Sequence, residues 1–315
     1  MKSLSRIPKE REFGVVGFGT NAVDYLISVP SYPEFDSKVK LSSYQRAAGG
    51  EIASTLVGLS RLGIRTSYIG RFGADSEGRF GIQTLTDEGV DVSHAELIEG
   101  ASTQIAFIII DEASGERTVI WDRDDELSYS SDEVPKEIVS RSSILHCTPH
   151  DVGACIEMAT EAEKHGTIVS MDIDNLFQGV ESLLPRVDVL VASRDFPERL
   201  TGTATLEDAL SQIRATYGCP MVGVTMGDEG SLLLSDEGFV RVAGYSVPGG
   251  CKDTTGAGDA FRAGLLFGLL KEHSLHEAAM IANAVASLKC REIGARTALP
   301  TLEEVERLTG LTLNR

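Results

Sequence analysis

The stretch Lys252-Asp253-Thr254-Thr255-Gly256-Ala257-Gly258-Asp259-Ala260-Phe261 places two glycines directly before an apolar segment of helical length. Large apolar side chains recur at helical spacing from Phe261 to Lys271, so a helix is predicted to begin at the glycines. The first amides of a helix have no internal partner and carry partial positive charge. Because Gly256 and Gly258 lack a Cβ atom, a phosphate can approach those amides closely. The stretch therefore predicts an anion-binding turn.

Asp259 follows this turn directly, in the first turn of the predicted helix. A carboxylate beside a bound phosphoryl group can accept the proton of an attacking hydroxyl, and an ordinary ionised aspartate is sufficient for that work. The alternative is that Asp259 only caps the helix, which is common for aspartate at this position.

The composition restricts the partners of the chain. Acidic residues outnumber basic ones by 47 to 29, which gives the 315 residues a net charge of −18. Such a chain repels phosphate backbones and anionic lipids, so a small molecule is expected as partner, with no nucleic acid and no membrane. Residues 1–12 have no apolar core of signal-peptide length, and the five cysteines show no CxxC spacing. A cytoplasmic location with reduced thiols is expected.

Short apolar runs rich in β-branched residues alternate with helix-like segments such as Val152–His165, which predicts a mostly parallel central sheet flanked by helices. Two regions, at about 24–46 and 103–122, instead consist of extended segments that predict a small β-sheet lid. We expect one α/β domain over residues 1–315. The predicted strands of the large sheet are Phe13–Phe18, Ser67–Gly70, Ser143–Cys147, Thr167–Ile173, Val187–Val191 and Met221–Thr225.

The run Asp253–Phe261 resembles the carboxy-terminal signature of the ribokinase-like (PfkB) carbohydrate kinase family, D-T-T-G-A-G-D-x-F, at every position. The resemblance implies a ribokinase-like fold and ATP-dependent phosphoryl transfer. It assigns the catalytic base to Asp259 and the binding of the transferred phosphoryl group to Gly256, Ala257 and Gly258. In some relatives the positions of Asp253 and Thr255 bind a monovalent cation, so a potassium site is a further expectation.

Two other segments resemble the substrate-binding parts of that family. Residues 17–24 are similar to its first strand and turn, which suggests that Asp24 and Asn21 contact sugar hydroxyls. Residues 49–54 and the following Leu62-Gly63 are similar to its other signature, which suggests Gly49, Gly50 and Ser54, although the family usually has Asn where Ser54 stands. The extra basic residues that a phosphosugar kinase needs near its substrate are not evident near Asp24 or Gly49, which favours a sugar or related polyol over a phosphosugar. His150 follows a predicted strand and is expected to line the sugar pocket.

One further segment resembles the nucleotide-binding part of that family. Thr225-Met226-Gly227-Asp228-Glu229-Gly230 is similar to its T-x-G-x-x-G turn, which suggests that Thr225, Gly227 and Gly230 contact the nucleotide. Asn283 matches a position that faces the nucleotide base in relatives. The family's N-x-x-E motif is absent, because Ser193 and Phe196 stand at its ends, and this segment looks more like ketohexokinase-type sugar kinases. Ser193 is still expected to contact the nucleotide. Magnesium is then expected to be held mainly by ATP phosphates and water.

The same residues are compatible with other functions. A nucleoside kinase of the same fold, or a non-catalytic ligand-binding relative, fits many of the same residues. The run Gly17-Phe18-Gly19-Thr20-Asn21-Ala22 matches a weak dinucleotide fingerprint, but Tyr25–Pro30 after it indicates a strand where that fingerprint requires a helix. Because lid sheets with exposed edges often pair between subunits, a homodimer is expected.

Overall fold

Residues 7–114 and 116–314, which the computed structural model describes, alternate strands with helices over most of their length. The strands are β1 (Phe13–Phe18), β2 (Ala22–Val29), β3 (Ser43–Gly49), β4 (Thr66–Gly73), β5 (Asp91–Ile98), β6 (Ile105–Asp111), β7 (Arg117–Asp122), β8 (Ser142–Cys147), β9 (Ile168–Ile173), β10 (Val189–Ser193), β11 (Met221–Thr225), β12 (Ser231–Ser235) and β13 (Gly238–Val242). The helices are α1 (Glu51–Arg61), α2 (Ser76–Asp87), α3 (Val152–His165), α4 (Phe196–Thr201), α5 (Leu206–Tyr217), α6 (Ala257–Leu270), α7 (Leu275–Lys289) and α8 (Leu302–Thr309).

Nine strands form one large sheet in the order β13-β12-β11-β10-β9-β8-β1-β4-β5. All neighbouring pairs from β11 to β5 are parallel, and the two pairs at the other edge, β11–β12 and β12–β13, are antiparallel. The carboxyl ends of the parallel strands therefore meet along one edge of the sheet, where ligands bind in open α/β folds.

Hydrophobic residues cover both faces of this sheet, because its parallel strands are buried on both sides. Val15 of β1 packs with residues of α1, α6 and α7, whereas the next residue, Val16, packs with residues of α3 on the opposite face. The helices thus form a layer on each side of the sheet. Among the described helices, none combines the length and apolar character needed to cross a bilayer.

The predicted fold class is confirmed. The bounds of Phe13–Phe18, Met221–Thr225 and Val152–His165 match the predicted ones, and the other predicted strands differ by a few residues at their ends. The edge strand β5 and the hairpin strands β12 and β13 were not predicted. Strand β5 is half-buried along most of its length and carries polar residues among its apolar ones, so its sequence lacks a clear alternation.

A second sheet of four strands has the order β3-β2-β6-β7, and it comes from the two regions that were predicted to be extended. Strands β2 and β6 are parallel and the outer pairs are antiparallel. Directly opposite residues share a face of a sheet. Asp24, Ala106 and Trp121 are opposite one another and define the inner face of this lid. Its outer face contains Tyr25, Phe107 and Ile120.

The helices α6 and α7 lie very close together, because glycines of α6 face the backbone of α7. A methyl group on Gly264 would lie 2.7 Å from the Cα of Ala282 and 3.0 Å from the carbonyl oxygen of Ile281. A methyl group on Gly268 would lie 2.7 Å from the Cα of Ala278. Because both contacts are with backbone atoms, only a separation of the helices relieves them.

We therefore expect Gly264→Ala to lower the free energy of unfolding by about 1–3 kcal/mol through overpacking. The control is Gly166→Ala, at a left-handed C-cap with no atom within 4 Å of the new methyl group. It should cost about 1 kcal/mol through backbone conformation alone. Urea denaturation measures both, and a smaller loss for Gly264→Ala than for the control would contradict the close packing of α6 on α7.

Candidate active site

The predicted anion-binding turn lies at the amino end of α6. Gly256 is the N-cap of this helix and adopts a left-handed conformation with φ of 76°. A Cβ atom there would also lie 2.9 Å from the Cα of Ala295, so only glycine fits without strain. Residues 256–259 are each partly exposed, so the amino end of the helix is not enclosed in the interior.

The residues predicted to bind the phosphoryl group differ in their contacts within the protein. The amide of Ala257 donates to the carbonyl oxygen of Thr254 at 3.1 Å, so the turn itself already uses this donor. A Cβ atom on Gly258 would lie 2.6 Å from Nη1 of Arg262. The glycine thus lets a guanidinium lie directly behind the turn, where its charge favours an anion.

Asp259 is surrounded by other acidic groups. Burial, followed by the negative charges of Asp172 and Glu51, raises the pKa of Asp259 well above the ordinary aspartate range, while Arg262 and Arg296 oppose the shift. A carboxylate with a raised pKa is a stronger base than an exposed one. The surroundings of Asp259 are therefore suited to accepting a proton.

Arg262 is buried and forms an ion pair with Asp172 at the end of β9. It also donates to the carbonyl oxygen of Val191 in β10 at 3.0 Å. These contacts fix the guanidinium between the sheet and the turn. Lys252, the other cation next to the turn, instead pairs with Glu292 on the surface at 2.8 Å.

Glu51, at the start of α1, lies near the same carboxylates. Burial and the charge of Asp174 raise its pKa to about 7, whereas a hydrogen bond from the Thr20 hydroxyl at 3.0 Å opposes the shift. His150 lies beside it, with Nδ1 3.9 Å from a Glu51 carboxylate oxygen. The His150 ring packs on Phe177, and burial lowers its pKa. His150 thus lies beside Glu51 in the acidic cluster that includes Asp259.

Asp24 is buried on the inner face of the lid, with 4% of its surface exposed. Its carboxylate accepts no hydrogen bond from the described residues, and burial raises its pKa to about 6. A Cβ atom on Gly49 would lie 2.1 Å from a carboxylate oxygen of Asp24, which explains the glycine. A buried carboxylate without donors is a suitable partner for the hydroxyl groups of a ligand.

Two contacts of Arg296 bear on the expected substrate pocket. Ser54 is completely buried and its hydroxyl accepts from Nε of Arg296 at 3.2 Å, so a contact of Ser54 with the substrate stays a prediction. The Arg296 guanidinium also donates to the carbonyl oxygen of Gly49. A basic residue therefore does lie near Asp24 and Gly49, contrary to the expectation that none is present.

Asn21 lies near Asp24, but its amide nitrogen donates to the Tyr68 hydroxyl at 2.5 Å and to the carbonyl oxygen of Arg71 at 3.1 Å. Its buried side-chain oxygen has no hydrogen-bond partner among the described residues. Only this oxygen is free to accept from a substrate. Gly50, at the N-cap of α1, has φ of 88° and lies against the Asn21 backbone, where any Cβ atom would clash.

The inner face of the lid contributes two residues that sequence reasoning missed. The Trp121 side chain is 62% exposed and shares its face with Asp24. Arg117, also on β7, donates to the Thr254 hydroxyl and so connects the lid to the turn before α6. Which residues of β7 lie on the inner face depends on the register of β7 against β6, and the local sequence does not determine this register.

The predicted nucleotide contacts lie at the ends of two adjacent parallel strands. Ser193 and Thr225 are directly paired at the carboxyl ends of β10 and β11. Gly227 and Gly230 follow with φ of 63° and 93°, in a tight turn that leads into β12. Asn283 is 4% exposed and its amide donates to the Ser231 hydroxyl and the Val242 carbonyl, each at 3.1 Å. The amide nitrogen of Asn283 thus has a structural role, and its contact with a base stays a prediction.

The described residues contain no group of three or more His, Cys, Asp or Glu side chains that is arranged to hold a metal ion. Both carboxylate oxygens of Asp253 accept backbone amides, from Thr255 and from Gly294, each at 2.8 Å. The Thr255 hydroxyl is buried without a hydrogen-bond partner among the described residues.

Residues 15–302 match the model of the pfkB family of carbohydrate kinases. A ribokinase from Haemophilus influenzae is 28% identical over 296 residues, which cover 91% of this chain and 95% of the relative. A nucleoside kinase from Methanothermobacter thermautotrophicus is 28% identical over 303 residues, covering 94% and 95%. The structure of an Arabidopsis thaliana ribokinase complexed with ribose and ATP has the same fold, with a TM-score of 0.80, 23% identity, and coverage of 95% and 99%. The chain belongs to the pfkB family of carbohydrate kinases.

Proposed function

We propose that the protein transfers the γ-phosphoryl group of ATP to a hydroxyl group of a sugar or sugar-like substrate. One observation carries the proposal: Asp259, with its raised pKa, lies at the open amino end of α6, directly after the turn formed by Gly256 and Gly258. A base and an anion-binding turn within four residues are the two parts that phosphoryl transfer requires.

Each residue of the proposed site has a separate role in the reaction. Asp259 accepts the proton of the attacking hydroxyl, and the amides at the start of α6 stabilise charge on the transferred group. Arg262, fixed by Asp172 behind Gly258, adds positive charge at the same place. ATP enters as its magnesium complex, in which phosphates and water hold the ion. We place the nucleotide along Ser193, Thr225, Gly227 and Gly230.

The substrate lies over Gly49 and Gly50, with its hydroxyl groups donating to Asp24. Arg296 beside Asp24 also suits an acidic sugar, because a buried guanidinium interacts well with a carboxylate. A nucleoside is the second candidate. The exposed ring of Trp121 on the inner face of the lid favours it, since a base has a flat face to stack on.

The identity of the acceptor is tested by measuring ADP release from ATP in the presence of ketoses, aldoses, sugar acids or nucleosides. We expect at least one acceptor to raise ADP release well above the rate of ATP hydrolysis without acceptor. A broad panel without any such acceptor, despite tight ATP binding, would favour a non-catalytic ligand-binding protein.

Removal of the base tests the mechanism. We expect Asp259→Asn to lower turnover by roughly 10²–10⁴-fold, the usual contribution of an acid–base group, and to leave ATP affinity nearly unchanged. Asp87→Asn, at the exposed end of α2, is the matched control and should retain full turnover. Near-normal turnover of Asp259→Asn would remove Asp259 from the role of base.

The acidic neighbours of Asp259 predict a pH effect. Turnover requires the Asp259 carboxylate, so kcat/KM should rise with pH through an apparent pKa above the ordinary aspartate range. In Glu51→Gln one negative charge beside Asp259 is gone, so the carboxylate forms more easily and the acidic limb should move to lower pH. The control, Glu99→Gln on an exposed turn, should leave the limb in place. An acidic limb that moves to higher pH in Glu51→Gln would contradict the proposed coupling.

We further propose that two copies of the chain associate through the outer face of the lid. Tyr44, Phe107 and Ile120 are 56%, 40% and 53% exposed there, and Tyr25 stacks on both Tyr44 and Phe107. A continuous apolar patch of this kind is unusual on a surface that stays in water.

Light scattering after size exclusion should therefore give twice the mass of one chain. Ile120→Glu places a charge in the patch and should give monomers. Leu97→Glu, which changes an equally exposed apolar residue on β5, should remain dimeric. A monomeric wild-type protein at micromolar concentration would contradict the proposed dimer.

A further inference from the structure

Lys289, the last residue of α7, has a completely buried side chain. Its ammonium nitrogen donates to the backbone carbonyl oxygen of Asp253 at 2.9 Å and lies 3.7 Å from a carboxylate oxygen of the same residue. Burial of a charged group costs free energy unless an opposite charge is nearby, so Lys289 and Asp253 each offset the cost of burying the other. Burial lowers the pKa of Lys289, and the Asp253 carboxylate opposes that change.

The pair lies where two loops meet at the amino end of α6. The Asp253 carboxylate accepts the amide of Thr255, in the turn before the helix, and the amide of Gly294, in the loop after α7. Ala295 of that second loop lies against Gly256. A charge at Asp253 therefore acts on both loops that shape the anion-binding turn.

A monovalent cation expected at Asp253 and Thr255 does not fit beside this lysine. Any ion bound to the Asp253 carbonyl and carboxylate would lie next to the buried ammonium group, and two positive charges at that distance repel strongly where water is excluded. The compact ammonium group has the charge, and three donors to oxygen atoms, that such an ion would otherwise provide through coordination.

We propose that the Lys289 ammonium is the built-in cation of the Asp253–Gly256 turn, so that this protein needs no potassium, and that removal of the lysine creates a potassium site. Lys289 is a positioning residue in this proposal, since it acts on ATP through the turn. The measurement of ATP affinity rests on the proposed kinase function, whereas the measurement of stability does not.

The experiment compares wild type with Lys289→Ala at one ionic strength in tetramethylammonium, lithium, sodium, potassium and ammonium chlorides. The melting temperature and the Kd for ATP–magnesium, by calorimetry, are measured in each salt. Lys252→Ala removes a surface lysine near the same turn, where it pairs with Glu292, and serves as the matched control.

We expect the wild type and the control to have the same melting temperature and Kd in tetramethylammonium and in potassium. Lys289→Ala should melt lower and bind ATP more weakly in tetramethylammonium. Potassium or ammonium, but not lithium, should then improve its affinity by roughly fivefold or more, the lower range of ordinary coupling between two sites. A general salt effect would not distinguish these ions, so this selectivity separates a filled site from screening.

Two results would overturn the proposal. One is a wild-type protein whose ATP affinity or melting temperature rises selectively with potassium. The other is a folded Lys289→Ala protein that responds equally to all five salts, which would make the lysine only a packing element. If the alanine variant does not fold in any salt, Lys289→Gln replaces it, and the wild-type series alone still decides the first result. Absence of ATP binding in every salt would contradict the proposed kinase function, while the melting series would still test the lysine.

Discussion

The proposed site at the amino end of α6 depends on the Asp253 carboxylate, which fixes the two loops around that end of the helix. Its two oxygens accept hydrogen bonds from the amides of Thr255 and Gly294. The buried ammonium group of Lys289 lies 3.7 Å from one of them and offsets the negative charge. Gly256 then turns the chain in the left-handed region against Ala295. The first turn of the helix thereby begins at partly exposed residues, and Asp259 lies in that turn, one residue beyond Gly258.

The charge distribution explains how a chain with a net charge of −18 can act on an anionic nucleotide. The overall field repels ATP, so attraction has to be local. In the proposed site, backbone amides and the buried Arg262 supply it at the turn, while Asp172 pairs with the guanidinium. Burial, and then the negative charges of Asp172 and Glu51, raise the pKa of Asp259, the residue proposed to accept a proton. In the proposed mechanism the acidic cluster opposes nucleotide binding and favours proton transfer to Asp259.

The sequence predicted those parts of the site that are local in the chain. The turn at residues 253–259 and the paired glycines 49 and 50 are short segments whose conformation depends on their own residues. The lid was also predicted, because its extended segments interrupt the alternation of strand and helix along the chain. Arg296 was missed since its partner Gly49 lies 247 residues away, and no local pattern connects them. Lys289 and Trp121 were missed likewise: a helix position and a strand register decide where they point. The hydrogen bond from Arg296 to the Ser54 hydroxyl likewise joins residues that are far apart in the sequence.

The most direct test is a crystal structure of the wild-type protein with ADP, magnesium, aluminium fluoride and the acceptor found by screening. The planar fluoride mimics the phosphoryl group in transit. It should lie within hydrogen-bond distance of amides at the start of α6, about 2.7–3.2 Å, with the acceptor hydroxyl between it and the Asp259 carboxylate. A fluoride bound elsewhere, or an acceptor hydroxyl out of reach of Asp259, would contradict a mechanism in which this turn and this carboxylate act together.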